Sequence, residues 1–140
     1  MPYIQLKKVL LLEDTGEDIL FIRRVIAKAG LPVHFIECRE YKSFIENLNN
    51  FTPDIILSDY HVPPFNGVEA LAISKEMYPD VPFIFVTGKI SADLADETIL
   101  VSADAYVLKD ELTYLPSVIK LMLKQRAHNY NNFEHSVNYL

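Results

Sequence analysis

Short apolar runs alternate along this chain with longer amphipathic stretches, and four of the runs stop on a polar group. They are Val9-Leu10-Leu11-Leu12, ending in Glu13-Asp14; Ile55-Ile56-Leu57-Ser58, ending in Asp59; Phe83-Ile84-Phe85-Val86, ending in Thr87; and Ala105-Tyr106-Val107-Leu108, ending in Lys109. Runs of this length suit strands buried on both faces of a parallel sheet, with the amphipathic stretches as the helices that cover it. Ligands and reactive groups gather at the carboxyl ends of such strands. Three acids, a hydroxyl and an amine are therefore expected to converge on one crevice of an α/β fold.

Five βα units fit the chain. Thr15-Gly16-Glu17-Asp18 resembles a capping box, and Ile19, Ile22, Ile26 and Ala29 recur at helical spacing until Gly30-Leu31-Pro32. A second strand is expected at Val33 to Cys38, and Phe44, Ile45 and Leu48 mark a second helix closed by Asn49-Asn50 and Pro53. Pro63-Pro64-Phe65-Asn66-Gly67 reads as a rigid loop, because the prolines restrict φ and Asn-Gly tolerates positive φ. A third helix is predicted from about Val68 to Met77, and Ser91 is the expected N-cap of a fourth. The last helix carries Leu115, Val118, Ile119 and Met122 inward and Lys120, Lys124 and Arg126 outward. The asparagines of Asn129-Tyr130-Asn131-Asn132 favour turns over helix, so residues 129–140 are expected to form an extension to a domain of residues 1–128.

At 140 residues, half of them hydrophobic, the chain is sized for one domain with a substantial core. A formal charge of -6 argues against sequence-independent nucleic-acid binding, which needs clustered Lys and Arg. The single Cys38 has no partner for an internal disulfide, and the first apolar run is too short for a signal peptide or membrane span. A soluble, cytoplasmic protein is expected, with neither nucleic acid nor membrane as a direct partner. His34, His128 and His135 show no metal-ligand spacing.

Taken singly, Glu13-Asp14 reads as an acidic helix start, Asp59 as a turn former, Thr87 as a strand-end hydroxyl and Lys109 as a snorkelling amine. Jointly they make a phosphoryl-transfer site. Glu13, Asp14 and Asp59 repel one another unless a hard cation joins them, and Mg²⁺ suits carboxylates plus water. Phosphoryl transfer then needs a nucleophile, cationic neutralisation of the equatorial oxygens and hydrogen-bond donors, which Asp59, the metal, Lys109 and Thr87 supply.

An acidic pair after strand one, a lone Asp after strand three, a Pro-containing loop ending in Asn-Gly, Thr after strand four and Lys after strand five recur together in one family. From about Lys7 to Arg126 the chain resembles a response-regulator receiver domain, the phosphoacceptor half of two-component signalling. The resemblance implies a flavodoxin-like doubly wound sheet, strand order 2-1-3-4-5, with five helices. It implies that Asp59 takes a phosphoryl group from a histidine kinase or phosphotransfer protein. Asp14, Asp59 and the main-chain carbonyl of His61 would ligate Mg²⁺, with Glu13 acting mostly through water. Lys109 would pair with the phosphoryl group, Thr87 would move to bond it, and Tyr106 stands where the family places its aromatic switch. Output would pass through the face of the fourth helix, fifth strand and fifth helix, to an unidentified target or to a second copy in a homodimer. Enzymatic activity would be limited to self-phosphorylation from phosphodonors and slow autodephosphorylation.

The chain departs from the family pattern where Lys109 is followed by Asp110 in place of proline. A cis bond before a non-proline residue costs about 2.5–4 kcal/mol, so a trans Lys109-Asp110 peptide is expected. His61 and Lys89 occupy positions that tune phosphate lifetime and donor preference in receivers. Three other functions compete with phosphoacceptance. A receiver that binds partners without being phosphorylated is the main one. A haloacid dehalogenase-type phosphatase would require a second Asp two residues past the nucleophile, where His61 stands. A flavodoxin-like cofactor binder would require a Ser/Thr/Gly-rich phosphate loop in place of Thr15-Gly16-Glu17-Asp18.

Overall fold

The computed structural model describes residues 6–88 and 102–138, with side chains described up to residue 129. Its elements run β1 (Lys7–Leu12), α1 (Gly16–Lys28), β2 (Val33–Cys38), α2 (Tyr41–Asn50), β3 (Ile55–Ser58), β4 (His61–Val62), β5 (Phe65–Asn66), α3 (Gly67–Met77), β6 (Phe83–Thr87) and β7 (Ala105–Leu108). A 3-10 helix over Lys109–Tyr114 then leads into α4 (Leu115–Asn138). The main sheet has the order β2-β1-β3-β6-β7, and every neighbouring pair in it is parallel. Counting only sheet strands, this is the expected 2-1-3-4-5. The fourth helix expected from Ser91 lies outside the described residues.

Alternation along the strands divides the core between the two faces of the sheet. Leu10, Leu12, Ile56, Phe83 and Phe85 pack under Phe44 and Leu48 of α2 and Ala70 and Leu71 of α3. Val9, Leu11, Ile55, Leu57, Ile84, Val86 and Val107 pack under Ile19, Ile22 and Ile26 of α1 and Leu115 and Ile119 of α4. Burial on both faces is why these strands read as unbroken apolar runs. The register aligns Leu12 with Ser58, Ser58 with Phe85, and Thr87 with Leu108. Glu13 and Asp59, each one residue further on, therefore emerge side by side.

Several local expectations change in the fold. Thr15 makes no side-chain cap to α1, and its backbone N–H instead donates to Glu13 Oε1 at 3.2 Å. Helix α1 stops before Ala29, which is exposed, and Gly30 takes a φ of +74°, the left-handed conformation suited to a helix end. Asn66-Gly67 is no positive-φ turn. Asn66 Oδ1 accepts from Val68 N–H at 3.1 Å and caps α3, while residues 61–66 pair as a two-stranded hairpin. The Lys109-Asp110 peptide is trans, as expected.

Arg126 does not point outward but folds back on Asp54, donating to its carbonyl at 3.2 Å. Helix α4 continues through the asparagines at 129, 131 and 132, where a turn was expected. Each asparagine costs a helix less than about 0.7 kcal/mol, and a nucleated helix gains a hydrogen bond with every added residue.

Candidate functional site

Glu13 and Asp14 leave the end of β1, where Glu13 N–H bonds the carbonyl of Cys38 at 3.0 Å. Asp59 leaves β3 with its N–H on the Leu12 carbonyl at 2.9 Å, so the two central strands carry their acids as a rigid pair. Lys109 arrives from β7 and the start of the 3-10 helix. Its ammonium lies 2.9 Å from Asp59 Oδ2, 3.0 Å from Glu13 Oε2 and 2.7 Å from Asp18 Oδ2. Thr87 ends β6 in the buried interior beside Leu108 of β7.

Burial makes this an electrostatically tense site. Glu13 is fully buried, and its carboxyl is pushed up to about 7, first by loss of solvent and then by the negative charge of Asp59. Lys109 offsets part of this as an ion-pair partner 3.0 Å from Oε2, an atom that makes no hydrogen bond. For Lys109 itself burial favours the neutral amine. The hydrogen bonds it donates to Asp18 and Asp59, with the Glu13 carboxylate close by, outweigh burial and raise its pKa above the ordinary lysine value. Glu13, Asp14 and Asp59 each offer a carboxylate oxygen within 4.8 Å of the others, a hard-oxygen donor set that fits a divalent cation. The buried Oε2 of Glu13 points the same way, since a ligand would give a partner to an acceptor that makes no hydrogen bond.

Two further side chains complete the site without a functional role in the sequence pattern. In sequence Asp18 is part of a capping-box pattern. It stands one helical turn past Asp14, which is the spacing that could have linked it to the strand-end acids. Arg39 follows β2 and grips the Asp14 carbonyl through Nη2 at 2.9 Å and Nε at 3.3 Å, holding the loop that presents Asp14. Its position beyond the carboxyl end of β2 was the available signal. Gly67 also belongs to the frame. A Cβ there would stand 2.5 Å from Phe85 Cε1, 2.9 Å from Tyr60 Cα and 3.0 Å from the Asp59 carbonyl oxygen.

The remaining sequence-derived positions surround this centre. His61 N–H donates to Asp59 Oδ1 at 3.3 Å, and the exposed His61 ring meets Tyr60 edge-on. Tyr106 is half-buried and stacks on Phe85 with ring centroids 5.9 Å apart. Phe85 in turn meets Tyr60, so an aromatic path joins β7 to the residue beside Asp59. Lys89 lies outside the described residues.

The family model for the response regulator receiver domain matches residues 9–120. The chain belongs to that family. A luminescence regulatory protein LuxO from Vibrio campbellii is 30% identical over 99 residues, covering 71% of this chain but 21% of that protein. The chemotaxis protein CheY of Thermotoga maritima is 24% identical over 103 residues, covering 74% of this chain and 85% of that one. The receiver thus spans about a fifth of the LuxO-type relatives it matches. Among solved structures, a CheY-like receiver domain protein from Methanospirillum hungatei superimposes with a TM-score of 0.77 at 22% identity, over 89% of this chain and 99% of that one. The receiver domain of a LuxO repressor protein from Vibrio parahaemolyticus gives 0.76 at 21% identity, over 89% and 95%. Both likenesses are of fold. Among the described residues no helix is long and apolar enough to cross a membrane.

Proposed function

We propose that this receiver is a Mg²⁺-dependent phosphorylation switch whose acceptor is Asp59. The observation that carries the reading is the Asp59 carboxylate, held 2.9 Å from the Lys109 ammonium and grouped with Glu13 and Asp14. An Asp59 oxygen attacks the phosphorus of a phosphohistidine on a kinase or phosphotransfer protein. The new O–P bond forms as the P–N bond breaks, and the imidazole leaves with the electron pair and takes up a proton. Asp14, Asp59 and the His61 carbonyl would hold Mg²⁺, with Glu13 behind them through water, and a bound cation would supply charge neutralisation at the phosphoryl oxygens. Lys109 donates to a phosphoryl oxygen and Thr87 to another, and attack by water later returns Asp59 and inorganic phosphate.

In this reading the Thr87 shift frees room for Tyr106 to turn inward, changing a binding surface that a downstream protein or a second copy reads. His61 and Lys89 tune the lifetime of the acyl phosphate. Residues 1–128 form the receiver, 129–140 its extension, and the setting is cytoplasmic.

Acetyl phosphate or beryllofluoride added with Mg²⁺ should shift the NMR signals around Asp59 in the wild type and leave Asp59→Asn unchanged. A wild type that does not respond would favour a receiver that binds partners unphosphorylated, the reading that the Asp110 departure keeps in play.

A further inference from the structure

A lysine ammonium has three N–H donors, and that of Lys109 meets three carboxylates. Two of them, Glu13 and Asp59, belong to the group that fits a cation, and both are buried. The third, Asp18, stands outside that group in the first turn of α1, with its side chain 30% exposed. It nevertheless makes the shortest of the three contacts, 2.7 Å. Asp18 is thus placed to hold the amine without competing for the metal.

We propose that Asp18 is a positioning residue for phosphoryl transfer. It shares the Lys109 ammonium with Asp59 at the mouth of the site, so that the amine is neither given up wholly to Asp59 nor swings into solvent. The proposal rests on Asp59 being the phosphoacceptor. Without Asp18, the ammonium has only Glu13 and Asp59 as carboxylate partners, and a lysine drawn fully onto Asp59 masks the nucleophile. With Asp18 in place, one N–H stays on its carboxylate while the others remain free to turn to the phosphoryl oxygens. In self-phosphorylation from acetyl phosphate, an Asp59 oxygen bonds phosphorus as the phosphorus–acetate oxygen bond breaks, and acetate leaves with the electron pair.

The test is the rate of self-phosphorylation from acetyl phosphate at saturating Mg²⁺, read alongside the ¹⁵N signal of the Lys109 ammonium. Asp18→Asn should slow the reaction about tenfold, the scale of one charge-assisted hydrogen bond. It should also move the Lys109 signal, with the urea midpoint close to that of the wild type. Asp18→Glu, which restores the charge, should recover most of the rate. Wild-type rates in Asp18→Asn would overturn the proposal and leave the phosphoacceptor reading intact. Equal losses in both variants, accompanied by lost stability, would also overturn it and reduce Asp18 to a helix-start acid. A wild type that takes no phosphoryl group would overturn both readings together.

Discussion

Gly67 shows how tightly a single position can be bound to the site. Its missing side chain leaves room for the Tyr60 backbone and the Asp59 carbonyl, whose contacts with an added Cβ would be 2.9 and 3.0 Å. The backbone there cannot yield cheaply, because Gly67 N–H also bonds the Tyr60 carbonyl at 2.6 Å. Gly67→Ala is expected to cost about 1–3 kcal/mol in urea unfolding, the range for overpacking. It should slow phosphorylation as well, since relief of the clash displaces the acceptor strand end. The glycine was visible in sequence, but its reason was not: positive φ was the local explanation, and close approach across the fold is the observed one. Asp18 and Arg39 show the same limit. Both are ordinary charged residues at helix and strand ends until the neighbouring strands bring Lys109 and the Asp14 loop to them.

Helix starts show the difference between a pattern and a made contact. Thr15 has the residue type of an N-cap, yet the side chain caps nothing; Asn66, read as a turn former, caps α3. Asn66→Ala should therefore cost about 1 kcal/mol, the usual loss of a cap. Thr15→Ala should stay within about 0.5 kcal/mol, since the hydroxyl gives up only a long, exposed hydrogen bond to Asp14 Oδ1 at 3.4 Å. Chemical denaturation of the two variants side by side checks both values, and the opposite order would contradict the capping seen here. The apolar runs that became β1, β3 and β6 were legible because their burial is two-sided and needs no knowledge of partners, while β7 at the sheet edge is only half-buried. The extent of α4 was not, because the asparagine preference is weak against helix propagation.

For the molecule as a whole, Glu13 links pH, metal and stability. Its folded pKa of about 7 lies above the ordinary 4.5, so the folded state binds more protons between those values than the unfolded state does. The metal-free protein should accordingly lose stability as pH rises from about 4.5 through about 7. Glu13→Gln should flatten that decline, and urea midpoints across this range check it. Metal binding should follow the opposite course, with calorimetric Mg²⁺ affinity rising as pH increases through about 7 and Glu13 becomes ionised. From residue order alone came the strand-ending acids, hydroxyl and amine, the alternation of strands and helices, and the family that combines them. Those are local features, written in runs of a few residues and in chain order. The triple pairing of Lys109, the grip of Arg39 on the Asp14 loop and the tight seat of Gly67 came from the assembled sheet. Each joins segments separated in the chain, so its distances and its burial exist only once the strands stand in register.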